Sequence, residues 1–205
     1  MKIWGRANSI NVQKVLWAAE ECGVVYDRED VGGAFGGNDQ AWYLEMNPNG
    51  IVPTIEDGGR VIWDSNSAVR YLAARYASGS LWPIEPGERS EADRWMDWQL
   101  TTISECMRIC FWGLVRTPKD KRDMAAIGKA AVDLGKLWKR LDDWLEGKKY
   151  VAGPHFTMGD IPVGCFAYRW YALPIERPEL KNVRAWYERL GTRPAYARHI
   201  MIKMT

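Results

Sequence analysis

Residues 47–65, NPNGIVPTIEDGGRVIWDS, constrain this chain more than any other stretch. The turn-forming run Asn47-Pro48-Asn49-Gly50 leads to Val52-Pro53. Two short β-type pieces follow, Thr54 to Glu56 and Val61 to Trp63. Asp57-Gly58-Gly59 between them makes a hairpin turn, where glycine takes φ > 0 without strain. A proline at the start of a strand holds the preceding residue extended. If the Val52–Pro53 peptide is cis, the chain kinks there, and the N–H and C=O of Val52 face outward, unused by the sheet. An extended peptide can then pair with Val52 as an added strand. Asp64-Ser65 stands where a helix must begin, because Ala68, Val69, Leu72 and Tyr76 repeat at helical spacing behind it. The open N–H groups and hydroxyl of such a helix start suit a carboxylate, and Asp64 suits an ammonium. The stretch thus offers places for an amide, a carboxylate and an amine, the groups of a small zwitterionic peptide.

The rest of the chain divides in two around it. Lys2-Ile3-Trp4 reads as a short strand ended by Gly5. The polar loop Arg6-Ala7-Asn8-Ser9 enters a helix with Val12, Val15, Leu16 and Ala19 on one face, stopped by Gly23. Val24 to Asp30 reads as the next strand, joined to the first as a parallel pair by a right-handed crossover. Residues 32–38 form a flexible loop before a short helix over roughly 39–46. With the hairpin and the helix to Tyr76, residues 1–77 run β-α-β-α-β-β-α, with Leu16 and Trp17 expected to pack the first helix onto the sheet. Residues 78–88 carry Pro83, Pro86 and several small residues and read as a linker.

Over residues 89–205 the strand patterns vanish. One long helix is expected over about 89–115, with a stripe through Leu100, Ile103, Met107, Cys110, Phe111 and Leu114, and it is broken by Pro118. Ile127, Ala131, Leu134, Trp138, Leu141 and Leu145 mark a second. Thr157-Met158-Gly159-Asp160 is a capping-box-like start, Thr157 as N-cap and Asp160 reaching back to its amide. Ile161, Val163, Cys165 and Phe166 make the helix that follows apolar on nearly all sides, and so central. A last helix after Pro178 carries Val183, Trp186 and Leu190. The fold class is an α/β half followed by an all-α half.

"NPNGIVPTIEDGG" followed by "WDSNSAVRYLAARY" resembles the glutathione-binding half of glutathione S-transferases in residue type and in order. Ser9-Ile10-Asn11-Val12-Gln13-Lys14-Val15 resembles the Ser/Thr-x-Asn-x-x-Lys-Val start of serine-type and bacterial members. The resemblance implies a thioredoxin-like N-terminal domain, a helical C-terminal domain and glutathione as co-substrate, with conjugation of small electrophiles as a detoxifying activity. It also implies roles for individual residues. Ser9 faces the glutathione sulfur, and Asn11 shares or takes over this task. Val52, ahead of Pro53, pairs its backbone with the cysteinyl amide. Ser65 holds the γ-glutamyl carboxylate and Asp64 its amine, although Asp64 is one methylene shorter than the usual glutamate. Read locally, Ser9 and Ser65 also fit as helix caps, and Asn11 as a loop brace. No tyrosine precedes Tyr26, which argues against the tyrosine-type classes.

The acceptor pocket is expected between Arg6–Asn8 and the second half's first helix, around Phe111, Trp112 and Arg116. The aromatics fit equally as core, and an arginine beside a thiol suits an acidic substrate. Two other activities stay open: reduction of disulfides by two glutathiones, and a non-catalytic binding role on the same fold.

A net charge of +2, with no basic run interleaved with aromatics, argues against nucleic acid. No apolar run reaches membrane-spanning length, and the first residues lack the core of a signal peptide, so the cytoplasm is the expected address. Four cysteines and two histidines lie too scattered for a zinc site, and no metal is expected. Cys106 and Cys110 read as small buried residues. Trp95, Trp98 and Thr102 form a second row on the long helix. That row, with Arg70 and Arg75 as charged partners, agrees with the homodimer that the resemblance implies, first domain of one subunit against second domain of the other.

Overall fold

The computed structural model describes residues 1–205. β1 (Lys2–Trp4), β2 (Asp27–Glu29), β3 (Thr54–Asp57) and β4 (Arg60–Trp63) form one sheet in the order β2-β1-β3-β4. β1 is parallel to β2 and antiparallel to β3, with Ile3 opposite Arg28 on one side and Ile55 on the other. Parallel pairing needs a crossover, and α1 (Ile10–Glu21) supplies it. β2 is shorter than the run Val24–Asp30 suggested. Gly23 leaves α1 at φ +65°, and the amide of Val24 bonds to the carbonyl of Ala19, so the chain is still closing the helix there. α2 (Ala41–Met46) precedes the β3–β4 hairpin, which turns on Gly58 and Gly59, both at positive φ. α3 (Ser65–Tyr76) completes this half.

Helices alone follow: α4 (Pro86–Trp98), α5 (Ser104–Phe111), α6 (Met124–Trp144), α7 (Asp160–Ala172), α8 (Lys181–Gly191) and α9 (Pro194–His199). The long helix expected from about residue 89 begins at Pro86. Glu85 caps it by accepting from the Glu88 amide at 2.7 Å, and proline in a first turn lacks only an N–H that would have no helical partner. Between α4 and α5 the turn widens to the π form over Gln99–Ile103, and again after α5 over Trp112–Arg116. The wide turn shifts the register, which leaves Leu100 49% exposed instead of on the core stripe. α7 is buried on nearly every side, as its composition requires. It starts at Asp160 itself, two residues later than the cap pattern implied, while the reach-back holds: the Thr157 amide donates to Asp160 Oδ2 at 3.0 Å.

Two packing expectations are overturned. Trp17 does not face the sheet. It lies against Phe156 and Tyr196 of the helical half, ring centroids 5.4 and 4.8 Å away. Trp95 and Trp98 pack inside the subunit, edge-on to one another at 5.1 Å, with Trp144 and Trp138 of α6 beyond them. One core of 42 buried residues, from Ile3 to Ile200, takes in both halves, so neither half closes its own interior. No helix is long and apolar enough to cross a membrane.

Candidate functional site

Trp4 pairs with Thr54, and Thr54 with Trp63, so β1, β3 and β4 meet at one end of the sheet. The loop Gly5–Ser9, the pair Val52–Pro53 and the start of α3 therefore lie side by side. A Cβ placed on Gly5 would stand 3.2 Å from the Cβ of Val52.

The Val52–Pro53 peptide is cis. Neither the N–H nor the C=O of Val52 finds a backbone partner in the chain. The loop that presents them is clamped from behind: the Tyr43 hydroxyl and the Asn47 amide both donate to the Ile51 carbonyl, at 2.9 and 2.8 Å. Asn47 also donates to Thr54 Oγ1 at 3.1 Å, and Thr54 in turn donates to the Tyr43 hydroxyl at 2.9 Å. Asn47 and Thr54 are fully buried, so this network fixes the loop.

Asp64 holds φ at +68°, the one non-glycine residue with positive φ. Such backbone costs on the order of 1–3 kcal/mol and gathers at binding and catalytic sites. Its carboxylate accepts from the Ser67 amide at 2.9 Å, so Asp64 is the helix cap and Ser65 the first helical residue. The cap reading of Ser65 therefore falls away. Its hydroxyl instead accepts from Lys14 Nζ at 3.4 Å.

Lys14 is fully buried and meets no carboxylate. It donates to Gln99 Oε1 at 2.8 Å and to Asn66 Oδ1 at 3.2 Å. Burial pushes its pKa down to about 8. Asn66 is tied onward to the Met96 carbonyl at 2.9 Å and Gln99 to Ser104 at 2.9 Å, so α1, α3 and the α4–α5 turn are bound through one ammonium. Sequence reasoning gave Lys14 no role. The available signal was a polar pair, Gln13-Lys14, inside a helix whose residues 12–19 are all buried.

Ser9 is the N-cap of α1 by backbone, its carbonyl accepting from the Gln13 amide at 2.9 Å, yet its hydroxyl caps nothing. Asn11 stands half-buried on the first turn. No acidic residue occupies that turn, so the positive end of the helix dipole is left uncompensated. An uncommitted hydroxyl on such a helix start can hold an anionic sulfur. The chain's own thiols cannot supply that sulfur as a ready thiolate. Burial raises Cys22 and Cys110 to about 11 and Cys165 to about 12, and Cys106 is raised as well.

Asn8, in the loop before α1, lines a small cavity with Phe111 and Arg169; Phe111 is buried and Trp112 exposed. Arg116 and Arg169 both face the Phe111 ring, their guanidinium carbons 5.7 and 3.7 Å from its centroid. Arg169, on α7, was not singled out from the sequence.

Residues 8–75 match the family model described as the glutathione S-transferase N-terminal domain, and residues 104–194 that of the C-terminal domain. Glutathione S-transferase GstB of Escherichia coli K12 is 40% identical over 205 residues, covering 99% of each chain. A theta class glutathione S-transferase of the citrus canker pathogen Xanthomonas axonopodis pv. citri, solved with glutathione bound, is 53% identical, with a TM-score of 0.96 over all of this chain and 98% of that one. Glutathione S-transferase 3 of Zea mays is 28% identical over 98% of this chain and 93% of its own. With both family models and relatives matched along its whole length, the chain belongs to the glutathione S-transferase family.

Proposed function

We propose that the chain binds glutathione along the edge from Val52 to Ser65, stabilises its thiolate at Ser9 and Asn11, and conjugates it to small electrophiles. The observation that carries this reading is the hydroxyl of Ser9, uncommitted at an acid-free helix start, at the end of a loop whose first residue, Gly5, lies against Val52 with its unpaired peptide. A cysteine thiol titrates near 8.5, and lowering that by ~2 units takes ~2.7 kcal/mol of preferential stabilisation. A helix N-terminus and a neutral donor can provide it without a proton being removed first. Val52, oriented by Pro53, pairs with the cysteinyl amide as a strand would. Ser65 and the free amides of α3 receive the γ-glutamyl carboxylate, and Asp64, already aimed by its cap bond, receives the amine. Residues 1–77 form the thiol half, 89–205 the acceptor half and 78–88 the join, in keeping with family matches at 8–75 and 104–194. The protein works as a cytoplasmic homodimer that disposes of reactive electrophiles.

Ser9→Ala should raise the apparent pKa of bound glutathione in ultraviolet difference titration and cut turnover ~10- to 1000-fold, the range for one positioned donor. Full activity in both Ser9→Ala and Asn11→Ala sinks the assignment. Loss in Asn11→Ala alone moves it to Asn11. Asp64→Asn keeps the cap acceptor and should weaken glutathione ~10-fold or more by calorimetry. Faster turnover of a mixed disulfide than of any electrophile would change the reading to reductase.

A further inference from the structure

The ammonium of Lys14 is a buried charge without a counter-ion. The residue is fully buried, and its three acceptors, Gln99 Oε1, Asn66 Oδ1 and Ser65 Oγ, are all neutral. Arg169 of α7 repels it, and Asp64 attracts it without an ion pair. Lysine is almost never fully buried unless it is paired, and an unpaired buried charge is costly.

Two of the acceptors are held in place for this contact. The wide turn that carries Leu100 to solvent leaves Gln99 1% exposed. Turns of this kind gather at functional sites. The Gln99 side-chain nitrogen donates to Ser104 Oγ at 2.9 Å, which commits Oε1 to Lys14. Asn66 likewise donates to the Met96 carbonyl at 2.9 Å and turns Oδ1 to the lysine. The third acceptor differs. Ser65 Oγ takes the lysine proton at 3.4 Å, but its own proton meets no acceptor in the chain. The amides of Ser65 and Asn66, in the first turn of α3, meet none either. A hydroxyl that accepts from an ammonium is polarised into a stronger donor. Three open donors backed by one positive charge make a place for an anion.

We propose that Lys14 is a positioning residue for glutathione, its charge completing the pocket for the γ-glutamyl carboxylate through the Ser65 hydroxyl. The proposal rests on the reading that glutathione lies along the edge from Val52 to Ser65. Lys14 touches no substrate atom. It orients and polarises the hydroxyl that does, and its charge acts over roughly 6 Å, the span of two hydrogen bonds in line. Between unit charges at that distance, an effective dielectric near 20 gives an attraction on the order of 100-fold in binding. With a pKa held at about 8 the lysine keeps its proton at pH 7.

S-methylglutathione and its analogue with the γ-glutamyl carboxylate changed to a carboxamide are nearly one shape with different charge. The methyl group takes thiol ionisation out of the measurement. By calorimetry at pH 7 the wild type should bind the acid ~100-fold more tightly than the amide. In Lys14→Met that ratio should fall ~10-fold or more, the size of one hydrogen bond to a charged group. Gln99→Glu keeps the lysine and its packing but gives it an internal carboxylate, and the ratio should fall there too. That variant decides the matter if Lys14→Met does not fold. No preference for the acid in the wild type overturns the proposal. So does an unchanged ratio in the variants, including one in which both probes weaken equally, which would leave Lys14 to the fold alone. A wild type that gives no isotherm with S-methylglutathione overturns the glutathione reading, and this proposal with it.

Discussion

Lys14 joins the two halves through one buried ammonium, and its chemistry is testable through pH. Its folded pKa, about 8, lies below the ordinary 10.5, so across that window the unfolded chain holds a proton that the folded chain has lost. Stability from this group therefore rises as pH climbs from about 8 to 10.5, by up to ~3 kcal/mol for the whole shift. In Lys14→Met that rise disappears, so the wild-type melting temperature minus that of the variant should increase by several degrees across the window. A constant difference would mean that the ammonium is not strained by burial. At this scale the sequence was informative where a helix start makes a local pattern. Ser9 before an apolar helix, and Asp64-Ser65 after a hairpin, declare themselves in a few residues. Lys14 did not, because lysine is almost always exposed and only the assembled halves bury it. Arg169 was equally hidden, since only the fold brings α7 against the Phe111 ring.

The helix α7 depends on one carboxylate. Asp160 accepts from the amides of Thr157 and Val151, both at 3.0 Å, and from Trp186 Nε1 at 2.9 Å, tying together the loop before α7, the chain after α6, and α8. Burial raises its pKa to about 6 even against those donors. Asp160→Asn keeps the shape but turns an N–H toward a donor, and an unsatisfied buried group costs about 2–3 kcal/mol. The melting temperature should drop by about 5 to 10 °C with native far-UV circular dichroism at low temperature. A variant melting with the wild type would show that the carboxylate is dispensable. The Thr-x-x-Asp pattern exposed the cap in the sequence, because a cap is local. Val151 and Trp186, its other partners, carry no such mark. The same contrast explains Leu100. A regular 3-4 stripe was legible, but one extra residue in a π turn follows no residue pattern and carried Leu100 out to solvent.

As a whole molecule the chain leaves apolar surface exposed. Trp63, on the edge strand β4, is 44% exposed, and Leu100 lies half open on the α4–α5 run. The tryptophan row no longer argues for a dimer, being packed against α6, and Arg70 is already occupied by Asp93 and Asp97 of its own chain. Sedimentation equilibrium at micromolar concentration should nonetheless return about twice the 23.5 kDa chain mass. A monomer would leave those faces to solvent and remove the homodimer from the proposed function. The division into an α/β half and a helical half was readable from hydrophobic periods alone. That the halves share one interior was not, because periodicity reports which face is buried and never against what.

The contact between α1 and α7 carries a consequence for recombination. At Gly164 the ring of Trp17 comes within 3.0 Å of where a Cβ would sit, so α1 is fitted to one particular α7. A chimera cut at residues 78–88, the obvious seam, would set Trp17 and Lys14 against a foreign surface. A cut that carries α1 along with the helical half would keep Trp17 on α7 and Lys14 on Gln99, at the loss of the Lys14 bonds to Ser65 and Asn66. The working units of exchange in this enzyme are therefore not its two domains, and hybrids designed at the seam will fail by misfit before they reveal anything about specificity.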